Sequence, residues 1–188
     1  MNTRVAAFAH KVTREPWGLD GPTKVDVRRL KDLADCFAAH GADGCQQGDP
    51  EKEIYKVISP SEQEQSDLTY AITVINPGKV GTEYHMTRGH FHKKADAGEM
   101  YFGLSGFGVI LMQDRLGSIT SAEISEGAVV YIPPGLAHRT VNTCQGELAF
   151  LAVYSPQAGH DYESIVRRGF SKRVVERDGA VVLEERTD

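Results

Sequence analysis

Long apolar runs are missing from this sequence: no segment approaches the roughly 20 consecutive apolar residues that a membrane-spanning helix needs, so insertion into a bilayer is not expected. Cysteine is scarce. Cys36, Cys45 and Cys144 are odd in number and show no CxxC spacing, which reads as free thiols in a reducing compartment, with a Cys36–Cys45 bridge as the alternative. Met1 to Trp17 holds only the short apolar stretch Val5 to Ala9 before His10, Lys11 and Arg14, too little for a secretory signal, and a cytoplasmic protein is expected. Positive charge is in deficit. Lys and Arg number 21 against 26 Asp and Glu, a net charge of −5, and nucleic acid is not an expected partner because its phosphates demand clustered cations. The one basic cluster, Arg167, Arg168, Lys172 and Arg173, reads as solvated surface. Repeats, low-complexity segments and interdomain linkers are also missing, so 188 residues are read as a single domain able to bury its own core.

What is present changes character along the chain. Leu30, Leu33, Ala34 and Phe37 fall at i, i+3, i+4 and i+7, which predicts an amphipathic helix over Val27 to Ala38, followed by a Gly-rich loop through His40 to Gly48. From Glu53 onward come short runs of Val, Ile, Tyr and Thr punctuated by Gly, Pro, Asp and Ser. They predict strands at 54–58, 68–75, 84–86, 100–104, 109–113, 119–124, 128–132, 139–142 and 148–154. A short helix is expected within Tyr162 to Gly169, then a charged tail. Many short strands without helical periodicity between them predict an all-β fold, with a jelly-roll barrel leading. The expected layout is an N-terminal extension at 1–52 whose helix packs on the barrel, the barrel at 53–172, and a tail at 173–188.

The chemistry concentrates in Thr87, Arg88, Gly89, His90, Phe91, His92, then Glu99, then His138. Side chains two apart on a strand share a face, so His90 and His92 can converge while Phe91 packs away; Glu99, Tyr101 and Gly103 likewise oppose Met100, Phe102 and Leu104. A barrel that turns the polar face inward gathers three imidazoles and a carboxylate, donors suited to Fe²⁺, Mn²⁺, Ni²⁺, Co²⁺ or Zn²⁺. One such ion per subunit is expected, Fe²⁺ first among these. Four protein ligands leave two positions open on an octahedral ion, enough for a carbonyl oxygen and its neighbouring hydroxyl. Taken singly, each histidine reads better as a surface or hydrogen-bonded ring; together, at this spacing, they read as a site.

The runs GHFHKKADAGEMYFGLSGFG and PPGLAHRTVN resemble the two cupin motifs. More narrowly, INPGKVGTEYHMTRGHFHKKADAGEMY, GAVVYIPPGLAHRTVN and AGHDYESIVRRGFSK are similar to the cupin-type glucose-6-phosphate isomerases best known from archaea, over about Glu53 to Lys172. The resemblance implies a cupin double-stranded β-helix, a homodimer, and reversible isomerisation of glucose 6-phosphate and fructose 6-phosphate. It implies metal ligation by His90, His92, Glu99 and His138. It also implies a phosphate subsite at Thr73, Thr87 and Gly89 with Tyr55 and Tyr154, and His160, Tyr162 and Tyr101 along the sugar. An acidic chain that binds a phosphate must raise positive potential locally, and Thr and Tyr hydroxyls with the Gly89 N–H are donors of the right kind. Read as bare residues, Tyr55 and its like are equally ordinary strand formers.

For the reaction itself two routes stay open: a base, Glu99 or His160, moves a proton between C2 and C1, or hydrogen passes directly between the carbons. Two other classes share the motifs. A cupin dioxygenase or oxidase would consume oxygen, and a non-catalytic sugar-binding cupin often lacks ligands that are all present here. Mannose 6-phosphate differs from glucose 6-phosphate only at C2, and the residues do not separate them.

Overall fold

Alternating side chains on short strands can bury one face only by pairing into sheets, and the computed structural model, which describes residues 9–38, 48–61 and 67–186, does so throughout. In chain order the strands are β1 (Val12–Arg14), β2 (Trp17–Leu19), β3 (Thr23–Arg29), β4 (Glu53–Pro60), β5 (Thr69–Ile75) and β6 (Lys79–Val80). They continue with β7 (Glu83–Tyr84), β8 (Phe91–His92), β9 (Glu99–Ser105), β10 (Phe107–Gln113), β11 (Ile119–Ser125) and β12 (Val129–Ile132). The last five are β13 (Ala137–Asn142), β14 (Leu148–Tyr154), β15 (His160–Asp161), β16 (Lys172–Arg177) and β17 (Ala180–Glu185). A 3-10 helix spans Leu30–Cys36 and one α-helix, α1, spans Glu163–Arg168.

A six-stranded sheet in the order β12-β9-β14-β5-β4-β3 and a three-stranded sheet β11-β10-β13 carry the barrel, all neighbours antiparallel. Ile54, Ile75, Tyr101, Leu148 and Phe150 of the first share one core with Ile110, Ile124 and Val141 of the second. This is the all-β jelly-roll architecture that the strand pattern predicts. Register sets the faces. Thr73 and Ile75 look into the barrel, while Ile72 and Val74 look outward into a second cluster with Leu19, Ile58, Leu104 and Ala149, beside Trp17. The β1–β2 ribbon thus covers the outside of β4 and β5, which explains why Ala71 to Ile75 is buried on both faces of the strand.

Every one of the predicted strands is found, with ends displaced by no more than two residues, and the short helix expected within Tyr162 to Gly169 is α1. The helix expected over Val27 to Ala38 is different. Val27 to Arg29 belong to β3, paired along β4, and only Leu30–Cys36 coil, as a 3-10 helix. Its buried residues Leu30, Leu33 and Cys36 recur every three, the 3-10 period, whereas Ala34, which the α-helical reading placed on the same face, is half-buried. The charged tail is also structured: β16 and β17 form a hairpin that joins β7 and β6. Cys36 and Cys144 are buried free thiols; Cys45 and most of the Gly-rich loop lie outside the described residues.

Candidate metal centre and active-site cavity

Three neighbouring strand segments build the centre. His90 bridges His138 of β13, with backbone N–H to O distances of 3.3 and 3.1 Å in the two directions, and His92 of β8 lies opposite His160 of β15. His90 and His92, two apart, keep the same face, as their spacing predicts. Glu99 opens β9, whose inward residues Glu99 and Tyr101 are buried while Met100 and Phe102 are exposed, the expected parity. Gly89 permits the close approach. Its φ is +76°, and a Cβ there would lie 2.8 Å from Phe170 Cε2 and 2.9 Å from the His138 carbonyl oxygen.

The donor atoms of His90, His92, Glu99 and His138 all lie within 4.8 Å of one another. His92 directs Nδ1 at the Ala97 carbonyl at 2.9 Å, so its Nδ1–H is committed there and the Nε2 lone pair faces Glu99 Oε2 at 3.1 Å. The same oxygen lies 3.0 Å from His138 Nε2, and the buried nitrogens His90 Nε2 and His138 Nε2 satisfy no hydrogen bond among the described residues. Lone pairs aimed at one another around a carboxylate repel unless a cation sits among them, and these residues therefore fit a divalent ion. Without an ion the same rings would have to meet the carboxylate as N–H donors: burial pushes the Glu99 carboxyl up, but hydrogen bonds from His138 and His92 then override it and hold its pKa at about 2. His90 is driven well below the usual imidazole value by burial and by the rings around it. Both groups are then in the unprotonated form that a ligand requires.

A cavity of about 420 Å³ opens over this cluster. Besides Glu99, His90 and His138 it is lined by Tyr55, Thr73, Thr87, Gly89, Tyr101, Tyr154, His160 and Tyr162. Every sequence-predicted residue except His92, which faces the ligand cluster from behind, therefore borders one space. Thr87 Oγ1 accepts the Thr140 N–H at 3.0 Å, leaving its own hydroxyl proton to donate. Burial raises Tyr55 to a pKa of about 12, against a backbone hydrogen bond from Arg88, and lifts Tyr101 well above the usual phenol value, so both remain hydroxyl donors. His160 stands at the mouth, its ring centroid 4.3 Å from that of His90. A larger cleft of about 690 Å³ between Arg115 and α1 contains none of the predicted residues and balances Arg115, Arg167 and Arg168 against Asp114, Asp161 and Glu163.

The family model described as glucose-6-phosphate isomerase matches residues 27–188. The chain belongs to the glucose-6-phosphate isomerase family. It is 43% identical over 183 residues to the glucose-6-phosphate isomerase of Thermococcus litoralis, covering 92% of this chain and 95% of that one. To those of Thermococcus kodakarensis and Pyrococcus furiosus it is 46% and 42% identical, over 82% and 93% of this chain and 82% and 92% of theirs. Among solved structures it is similar to oxalate decarboxylase of Bacillus subtilis, with a TM-score of 0.46 and 19% identity over 56% of this chain, which spans about a quarter (26%) of that one.

For a member of the glucose-6-phosphate isomerase family, the cavity holds residues that sequence reasoning missed. Lys24, Asp26 and Arg28 of β3 line it, with Val57 and Ser59 of β4. The only signal was alternation, polar at 24, 26 and 28 and apolar at 25 and 27, and the helical pattern of Leu30 to Phe37 drew Val27 and Arg28 into the wrong element. No helix among the described residues is long and apolar enough to cross a membrane.

Proposed function

We propose that this chain interconverts glucose 6-phosphate and fructose 6-phosphate, the observation that carries the reading being a His₃Glu donor set, buried but for the half-buried His90, at the floor of a cavity rimmed with hydroxyls, in a chain of the glucose-6-phosphate isomerase family. His90, His92, Glu99 and His138 would hold one divalent ion, with Fe²⁺ placed first, whose bound form would supply Lewis-acid stabilisation of charge developing on the sugar oxygens. The hydroxyls of Tyr55, Thr73, Thr87 and Tyr154 and the N–H of Gly89 hold the phosphate at the far end, fixing C1 and C2 over the floor. Tyr101 and Tyr162 line the sugar.

His160 is the group we assign to proton movement. The Glu99 carboxylate is engaged by two rings at 3.1 and 3.0 Å, while the His160 ring faces the cavity mouth with no side-chain hydrogen bond among the described residues. It therefore takes the proton between C2 and C1 in the enediol route, or the hydroxyl protons if hydrogen passes directly between the carbons. Residues 53–172 are proposed as the main body of the barrel, to which β3 of the N-terminal segment adds the last strand of the six-stranded sheet, with the rest of 1–52 and 173–188 flanking it in the same domain, and the protein is proposed to act in the cytoplasm, in glycolysis and gluconeogenesis, as a homodimer.

The test is a coupled assay on fructose 6-phosphate after chelation, each metal being returned in turn. Activity should vanish with the metal and return with Fe²⁺ or Mn²⁺. Oxygen uptake without any sugar phosphate requirement would favour an oxidase instead, and no turnover with any metal would leave a binding protein.

A further inference from the structure

The register of β3 against β4 places Lys24 opposite Ser59, Asp26 opposite Val57 and Arg28 opposite Tyr55. All six side chains border the cavity, so the inner face of β3 is a wall of the site. Its charges are not equivalent. Lys24 Nζ is paired with Asp26 Oδ2 at 3.0 Å, which neutralises both at the rim. Arg28 has no carboxylate within ion-pair distance among the described residues, and its Nη1 donates to the Val27 carbonyl at 3.2 Å. A half-buried guanidinium facing a cavity, with most of its five N–H donors unspent, is arranged to receive an anion from that cavity.

Charge balance points the same way. Tyr55, Thr73, Thr87, Tyr154 and Gly89 donate hydrogen bonds but bring no positive charge, and the proposed ion belongs to the opposite, His-lined end. A phosphate dianion held only by neutral donors would lose its hydration without a counter-charge. Arg28 sits directly across from Tyr55, and it is the first cation that offsets the effect of burial on the Tyr162 hydroxyl, so its field reaches into the cavity.

We propose that Arg28 is the cation that receives the phosphate of the substrate, and that it sets the preference for phosphorylated over free sugars. This rests on the reading of the chain as a sugar-phosphate isomerase. A guanidinium can meet two phosphate oxygens at once, which Lys24, as a point charge already paired, does not. β3 is thus a substrate-binding strand, not a brace on the barrel.

Steady-state kinetics on fructose 6-phosphate with Arg28→Gln and Arg28→Lys decides it, with inorganic phosphate as the competing anion. KM and the inhibition constant for inorganic phosphate should rise together, by about 10- to 100-fold for Arg28→Gln, with kcat within about twofold and metal content and melting temperature as in the parent. Arg28→Lys should recover part of the loss. Parent-like KM and phosphate inhibition in either folded variant would overturn the proposal, as would a fall in kcat at constant KM. If the parent itself turns over no fructose 6-phosphate with any metal, the isomerase reading fails. Stabilisation of the parent by inorganic phosphate in thermal melts, reduced in Arg28→Lys or Arg28→Gln, then still reports on Arg28, and equal stabilisation overturns it.

Discussion

Single histidines in this protein differ by what their nitrogens touch, and pH separates them. His85 Nδ1 donates to the Asn76 carbonyl at 3.0 Å and its Nε2 is buried without a partner, so burial pushes its pKa down to about 4. A folded-state value below the unfolded one means that the unfolded chain binds the proton more tightly. The contribution is complete above pH 6.5, erodes as pH falls from 6.5 toward 4, and amounts to about 2 kcal/mol lost by pH 5. Urea titrations at pH 7 and pH 5 should therefore show a larger drop for the parent than for His85→Asn, which keeps a donor for Asn76; equal drops would exclude His85 as the source. At the metal end, His138→Ala removes a donor whose buried ring has no other partner, and metal content and turnover should vanish together. A His138→Ala protein that keeps full metal occupancy would sink the ligand set. Thr87→Ala leaves the Thr140 N–H without its side-chain acceptor and deletes a proposed phosphate donor, so KM should rise about 10-fold with kcat nearly constant, read by the same coupled assay.

The element that makes the site is the ladder of β13, the His90 bridge, β8 and β15, because it brings four rings from three stretches of chain to one face. That part was legible: strand spacing is local, and His90 with His92 announces a shared face before any partner strand is known. Gly89 was legible only as a residue able to approach a phosphate. The structure adds that β13 and Phe170 press on it from the other side. Gly89→Ala should strain the left-handed backbone and force the His138 carbonyl away, weakening metal binding about 10- to 100-fold in a manganese titration while the far-UV circular dichroism stays β-like. The 3-10 helix and β3 were not legible. Leu30 to Phe37 satisfies the period of 3.6 nearly as well as 3.0, and what decides between them is that β4 captures Val27 to Arg29 as a strand, a pairing across an intervening stretch of chain. For the same reason the β16–β17 hairpin was read as a tail, since its strands are charged and acquire a buried side at Val174 and Val175 only against the rest of the fold.

At the scale of the molecule, one outer face is left apolar. Met100 and Phe102 of β9 are 42% and 39% exposed, and Val129 and Tyr131, their register partners on β12, are each 63% exposed. A surface of this kind fits a second copy across a two-fold axis. Sedimentation should then return twice the 20.6 kDa chain mass, and Val129→Lys with Tyr131→Lys should shift the protein toward the monomer; an unshifted dimer would place the interface elsewhere. The sequence by itself determined the β architecture, through its short apolar runs, and the shared face of His90 and His92, through their spacing on a strand. Its motif runs, through the resemblance they carry, pointed to the hydroxyl and imidazole residues that line the cavity, and in all of these the information is local. Only the tertiary structure decided that β3 closes one wall, that Arg28 faces the same space as Tyr55, and that helical spacing gives way to a strand and a 3-10 turn. Those outcomes depend on which distant strand supplies the hydrogen bonds, and no window of sequence contains its own partner.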